Sequence, residues 1–203
     1  MNAIDTPLAL RDLYGTVNPL AERKVLTSLD RHCRAFISLS PLVVIATGDG
    51  AGRMDASPRG DAPGFVRIIG DDVLLLPDRP GNNRVDSYGN IVAHPGVGLL
   101  FFVPGIDETL RVNGKAAVIT DADKLATVAS HGKTPKAGLL ITVEEAFFHC
   151  GKALKRSRFW SPDGHLERGA FPTLGKVISD QTGQCTAEEA DARIASDYVK
   201  ALY

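Results

Sequence analysis

"LVVIATGDGAGRMDASPRG" occupies Leu42 to Gly60, and its period decides how the rest of the chain is read. A β-rich apolar run ends at Gly48-Asp49-Gly50, residue types that favour a reversal, and a second run follows in which Met54 and Ala56 alternate with Asp55 and Ser57. Period two on both sides of a turn predicts a β-hairpin. "GFVRIIGDDVLLLPD" (Gly64 to Asp78) repeats strand, turn and strand, and "VGLLFFVPG" (Val97 to Gly105), "TLRVNGKAAVIT" (Thr109 to Thr120) and "LLITVEEAFFHC" (Leu139 to Cys150) read as further strands. Phe102, Ile141, Phe147 and Phe148 are the core candidates among them.

Helical signals surround these strands. Asn18 stands as N-cap before Pro19, with Leu20, Val25, Leu26 and Leu29 following at helical intervals, and Asp30 recaps a second short helix carrying Cys33, Phe36 and Ile37. Helices are also predicted from beyond Asn82 to His94, where Pro95 stops the run, and from Asp121 to Lys133. Thr186 three residues before Glu189 is a capping box opening a C-terminal helix. About six strands in hairpin-like succession, without βαβ alternation, predict a mainly β fold with flanking helices, a small antiparallel barrel. The expected organisation is a single domain, with a helical segment over 1–40, a barrel core over 41–158, and a loop and helix over 159–203. The Pro/Gly-containing stretch from Phe159 to Gly175 reads as a lid or a surface excursion.

Composition narrows the function. The 203 residues carry 23 basic and 24 acidic side chains, net −1, so no global field recruits nucleic acid or an anionic membrane, and an anion must be bound locally. No run approaches the roughly 20 apolar residues that span a bilayer, and the first residues lack a secretory apolar run, so a cytoplasmic location is expected. Cys33, Cys150 and Cys185 are odd in number and widely spaced, which fits reduced thiols, and neither His32-Cys33 nor His149-Cys150 has metal-ligand spacing.

Three stretches can bind a local anion. Arg79, Asn82, Asn83 and Arg84 follow the Leu74-Leu75-Leu76 strand end and precede a helix, offering guanidinium forks, amide donors and free N–H groups to a phosphate monoester. The competing reading is a simple turn with solvated arginines. A second cluster, Lys152, Lys155, Arg156, Ser157 and Arg158, leaves another strand end, although charge runs are more often solvated faces. In the third, the β pleat puts Asp55, Ser57 and Arg59 on one face, either a polar binding wall or the solvent side of a hairpin.

Taken in order, "GRMDASP", "LLLPDRPGNNR", the helix ending His94-Pro95, "VGLLFF" and "LRVNGKA" resemble the pyridoxamine 5′-phosphate oxidase-like FMN-binding split-barrel superfamily over roughly Leu42 to Arg158. The resemblance implies a six-stranded antiparallel split β-barrel that forms a homodimer and binds FMN between its subunits. It implies that Asp55, Ser57, Arg59, Leu76 and Pro77 border the ring, and that Arg79, Asn82, Asn83 and Arg84 hold the phosphate. Lys152, Arg156 and Ser157 would close the site from either subunit, and Arg59 and Arg111 are candidate cations for the anionic reduced flavin. The resemblance has departures. Pro77-Asp78-Arg79 and Asn82-Asn83-Arg84 replace the Thr-Asn and Ser-Arg-Lys pattern of authentic pyridoxamine phosphate oxidases, and Ala201-Leu202-Tyr203 stands where those carry an arginine-bearing tail. The expectation is therefore an FMN-dependent oxidoreductase acting on an unidentified small molecule. The alternatives are a flavin or haem carrier or sensor, with His149 as an axial ligand in the haem version, and a nucleic-acid-binding barrel, which the charge balance disfavours. Trp160 stacks near the flavin or packs.

Overall fold

A computed structural model describes residues 3–203. Helices α1 (Pro7–Tyr14), α2 (Pro19–Arg23) and α3 (Arg31–Leu39) lead into a hairpin of β1 (Leu42–Gly48) and β2 (Met54–Gly60). Then come β3 (Arg67–Ile68), β4 (Val73–Pro77), α4 (Asp86–Ala93), β5 (Gly96–Phe102), β6 (Thr109–Ile119), α5 (Ala122–Ala126) and β7 (Gly138–His149). Helices α6 (Lys152–Ser157), α7 (Leu174–Thr182) and α8 (Ala187–Lys200) complete the described elements. The strands form one seven-stranded sheet in the order β2-β1-β5-β6-β7-β4-β3, every pairing antiparallel.

The mainly β class with flanking helices is as expected, but the strand number is seven rather than six, because the Gly64 to Asp78 stretch contributes the two-residue β3 as well as β4. Side chains facing inward from β1, β5, β6 and β7 make the core: Val43, Ile45, Leu99, Phe101, Val112 and Ile141 are all at most 1 % exposed. Phe101, not Phe102, points into it, since neighbours on a strand face opposite ways. Phe147 and Phe148 are only half-buried; Phe148 closes the core edge-on against Phe36, with ring centroids 5.3 Å apart, while Phe147 lies outside beneath the Arg111 guanidinium, 4.5 Å from its centroid. Where β6 and β7 cross, the register shifts between Asn113 and Gly114. A Cβ on Gly114 would sit 2.1 Å from the Thr142 carbonyl oxygen, so this irregularity depends on glycine.

Three helices are shorter than their sequence patterns. The helix starting at Pro19 is capped by Asn18 as expected but ends at Arg23, because Leu26 exchanges two backbone hydrogen bonds with Ala146 of β7, at 2.9 and 2.8 Å. Strand pairing there outcompetes helical continuation. The pattern from Asp121 to Lys133 is helical only through Ala126. Past it, bonds from the N–H groups of Thr127, Val128 and Ala129 reach back three residues and tighten the chain into a tight turn, Ser130 to Lys133, with left-handed His131 and Gly132 at its centre. The run beyond Asn82 becomes α4 only at Asp86, for reasons that belong to the site. Asp30 caps α3 by accepting from His32 and Cys33, and the Thr186–Glu189 capping box opens α8. Helices α1, α6 and α7 were missed by pattern reading; α6 and α7 begin inside stretches read as a charge cluster and as a loop.

Candidate functional site

A cleft of about 1000 Å³ opens where β2, the β4 exit and the start of α4 meet. Its first wall is the pleat of β2. Asp55, Ser57 and Arg59 alternate with exposed Met54, Ala56 and Pro58 and turn toward the cleft half-buried, so of the two readings of this face the structure shows a wall rather than open solvent. They form one network: Arg59 donates to the Ser57 hydroxyl and to Ser87 Oγ at 3.1 Å, and Ser87 Oγ donates to Asp55 Oδ2 at 2.5 Å. Ser87 belongs to the first turn of α4 and is 1 % exposed, so this chain ties the helix to the strand and sets the width of the cleft.

The second wall is the turn after β4. Asn83 and Val85 have φ of 58° and 51°, left-handed values on either side of Arg84. A β-branched valine there is costly, of order 1–3 kcal/mol, and such backbone persists where surrounding contacts impose it, often at ligand sites. Asn82 holds the bend by accepting the Arg84 N–H on Oδ1 at 3.1 Å. This bend delays the helix to Asp86, and Val85 supplies no side-chain cap, so the first N–H groups of α4 have no side-chain acceptor at the positive end of the helix. Arg84 reaches Asp86 at 2.7 Å, but both side chains are exposed, and solvent screens a pair of that kind. An incoming anion can displace it.

Arg79 differs. Its Nε lies 2.6 Å from Asp61 Oδ2, and a second nitrogen donates to the Val128 carbonyl at 3.0 Å. The two side chains are 17 % and 3 % exposed. Burial alone would raise the Asp61 pKa, yet the Ala62 N–H, Arg79 and the Tyr203 hydroxyl outweigh it and hold the carboxyl below its ordinary value. Arg79 therefore lines the cleft as a brace between β4 and neighbouring loops, its charge already satisfied, rather than as a free phosphate ligand. Beside it, burial raises the pKa of Asp78, against the lowering charge of Arg59, and burial likewise raises that of Tyr88. Asp61, Asp78, Ser87, Tyr88 and the loop 130–136 escaped sequence reading, because isolated residues on separate elements leave no local pattern.

The remaining sequence candidates are placed differently. Leu76 is 1 % exposed with its side chain in the core, so only its main chain can border a ligand, while the adjacent Pro77 lines the cleft. Arg111 stands over Phe147, 3.3 Å from Glu145 Oε1, and its Nε is buried without a partner. Lys152, Arg156 and Ser157 are on α6, where the Ser157 hydroxyl is turned back to the Leu154 carbonyl at 3.1 Å and Lys155 pairs with Asp107 at 2.9 Å. Arg111, Lys152, Lys155, Arg156 and Ser157 do not line the cleft. Burial, then the charges of Arg111 and Lys24, lowers the His149 pKa. Trp160 packs, donating to the Ile106 carbonyl at 3.0 Å with its ring edge-on to Phe159. Among the described residues no helix is long and apolar enough to cross a membrane.

A family model described as pyridoxamine 5′-phosphate oxidase matches residues 29–150, more than half of the chain and every residue of β1 to β7. No curated protein matches. Among solved structures, the chain is similar to HupZ of Group A Streptococcus (19 % identity, 59 % of this chain and 92 % of that one, TM-score 0.48). It is also similar to a candidate pyridoxamine 5′-phosphate oxidase of Lactobacillus delbrueckii (23 % identity, 60 % and 95 % covered, TM-score 0.47). A third is a general stress protein 26-related protein of Clostridium acetobutylicum (13 % identity, 58 % and 85 % covered, TM-score 0.42).

Proposed function

Because the chain belongs to the pyridoxamine 5′-phosphate oxidase family, we propose that it is an FMN-binding flavoprotein, an oxidoreductase acting on a small molecule, that works as a homodimer with the cofactor between subunits. One observation carries this reading: a strained turn around Arg84 and an uncapped helix start face the Asp55–Ser57–Arg59 wall across one cleft. Arg84, the Asn82 and Asn83 amides and the first N–H groups of α4 supply the charge-assisted and backbone donors that a doubly charged phosphate monoester takes. They fit the group.

The flavin, when bound, supplies the hydride and electron chemistry. The protein's own residues position it. Arg59, fixed by Ser57 and Ser87, presents a cation whose direction does not depend on solvent, the kind of preorganised charge that favours an anionic ring edge. Pro77 and Phe65 add apolar surface to the same cleft. Arg111, Lys152, Arg156 and Ser157, which stand apart from this cleft within one subunit, are assigned to closing the partner's cleft across a two-fold axis. The Arg111 Nε, buried and unpartnered, is a donor of the kind such an arrangement would use.

The test begins with the absorption spectrum of the purified protein, which should show bound flavin or acquire it from added FMN; a colourless protein that ignores FMN overturns the reading. Arg84→Ala is expected to weaken FMN binding by about 10- to 100-fold, through loss of a charge-assisted hydrogen bond. Its thermal midpoint should stay close to wild type, since the residue is exposed. Full flavin occupancy of this variant at limiting FMN would remove Arg84 from the phosphate site.

A further inference from the structure

A further pocket, of about 550 Å³, opens between the N-terminal segment, the loop before β6 and the end of β7. Its floor is the edge of the core: Phe36 is 7 % exposed, and Leu26, Ile106 and Phe148 pack half-buried against the same cluster. Each wall is fixed without a ligand. Leu26 is held by its two backbone bonds to Ala146, the Ile106 carbonyl accepts the Trp160 indole N–H at 3.0 Å, and Phe148 meets Phe36 edge-on. The pocket is therefore preformed, and its size falls within the range of about 300–1,000 Å³ that small ligands occupy. Cys33 lines it too; burial, then the Asp30 carboxylate, pushes its thiol up to about 12, so it stays neutral and serves as apolar surface. None of these residues lines the cleft at Arg84.

One end of this pocket is positive. Lys24 Nζ donates to the Phe148 carbonyl at 2.6 Å and lies 5.5 Å from the centroid of Phe147, which places the ammonium at the β7 end. An ammonium has three donors, and no ion pair engages this one among the described residues, so two remain for a ligand. The Arg111 guanidinium stands over the same Phe147 ring, and the charges of both cations add to burial in lowering the His149 pKa, so the positive field extends across this corner. The rim carboxylates are otherwise engaged. Asp30 Oδ1 accepts the His32 and Cys33 N–H groups at 3.0 and 2.8 Å as the cap of α3, and Glu108 is exposed, within the field of Lys155. A second anionic group on a ligand would face these two carboxylates, which limits it to a single charge.

We propose that this pocket is a ligand site, separate from the flavin cleft, that takes a small aromatic monoanion: the ring enters between Leu26, Phe36, Ile106 and Phe148, and its carboxylate or sulfonate pairs with Lys24. An aromatic body suits these walls because Phe36 and Phe148 already form an edge-on pair to which a third ring adds in the same geometry. The charge supplies orientation. Lys24 lies two residues before Leu26, whose backbone is pinned to Ala146, so the ammonium is presented from a fixed point of the chain. A neutral analogue keeps the apolar contacts and loses the charge-assisted bond.

The experiment titrates the full chain with 2-naphthoate and with its neutral counterpart 2-naphthamide by calorimetry, with and without FMN. Wild type is expected to bind 2-naphthoate at least about tenfold more tightly than the amide, the effect of one charge-assisted bond. Lys24→Met, an exposed substitution that keeps the apolar stem, should bring the two compounds to within about threefold by a loss for the anion alone. Ile106→Trp, which fills the pocket and keeps its backbone carbonyl for Trp160, should weaken both by about tenfold or more. Failure of wild type to bind 2-naphthoate, a preference retained by Lys24→Met, or unchanged binding of both compounds by Ile106→Trp overturns the inference. Competition between 2-naphthoate and FMN would put the probe in the cleft and overturn it too, leaving the flavin reading intact. So would a dimer that splits as 2-naphthoate binds, seen by sedimentation, because a second copy of the chain would then be the occupant. A wild type that takes 2-naphthoate with the expected preference but no flavin supports this site and defeats the flavin reading alone.

Discussion

Asp61→Ala should lose about 3–5 kcal/mol of folding stability, seen as a lower denaturant midpoint with little change in slope. The size follows from what the substitution strands. Arg79 is 17 % exposed and its Nε points at the lost carboxylate; without it the guanidinium keeps only the Val128 carbonyl and cannot reach water without moving the loop it braces. The Tyr203 hydroxyl loses its acceptor at the same time. The pH dependence has a definite sign. Asp61 has its folded pKa below the ordinary carboxylate value, so its contribution is complete above that value and disappears only as pH falls through the still lower folded pKa. The difference between wild type and Asp61→Ala should accordingly be constant through neutral pH and shrink only in strong acid. A loss below about 1 kcal/mol at pH 7 would mean that the pair behaves as a solvated one.

Phe101→Ala is expected to cost a similar amount, about 3–5 kcal/mol, because the ring is fully buried among β-strand side chains and leaves a cavity that the sheet cannot close. Phe102→Ala, one residue on and half-buried on the opposite face, should cost less by about 1–2 kcal/mol, in proportion to the smaller apolar area withdrawn from water. Paired urea melts measure both. If the Phe102 variant proves the less stable of the two, the faces of β5 are inverted and the register with β1 and β6 falls with them.

The adjacent phenylalanines illustrate what the chain alone can reveal. Period two identified the strand without saying which of its faces is inside, because apolar residues fill both: Gly96–Phe102 has Leu100 and Phe102 on one side and Leu99 and Phe101 on the other. The same holds for Phe147 and Phe148. Helix caps were legible at Asn18, Asp30, Asp121 and Thr186 because a cap is satisfied within three residues of itself. Helix ends were not, since Leu26 leaves the helical path for a partner 120 positions away, a competition no local window contains.

Residue types and their spacing settled the antiparallel hairpin succession, the shared face of Asp55, Ser57 and Arg59, and the concentration of donors from Asn82 to Arg84, all of which follow from short-range stereochemistry. Tertiary structure decided how each cation is held: Arg79 is buried against Asp61, Arg84 has only an exposed pair with Asp86, and Arg111 and the α6 cluster stand apart from the cleft. It alone brought Tyr203 to Asp61, His131 and Lys133. Electrostatic pairing and burial depend on distance through space, and the order of residues along a chain encodes that distance only after the sheet has closed around its core.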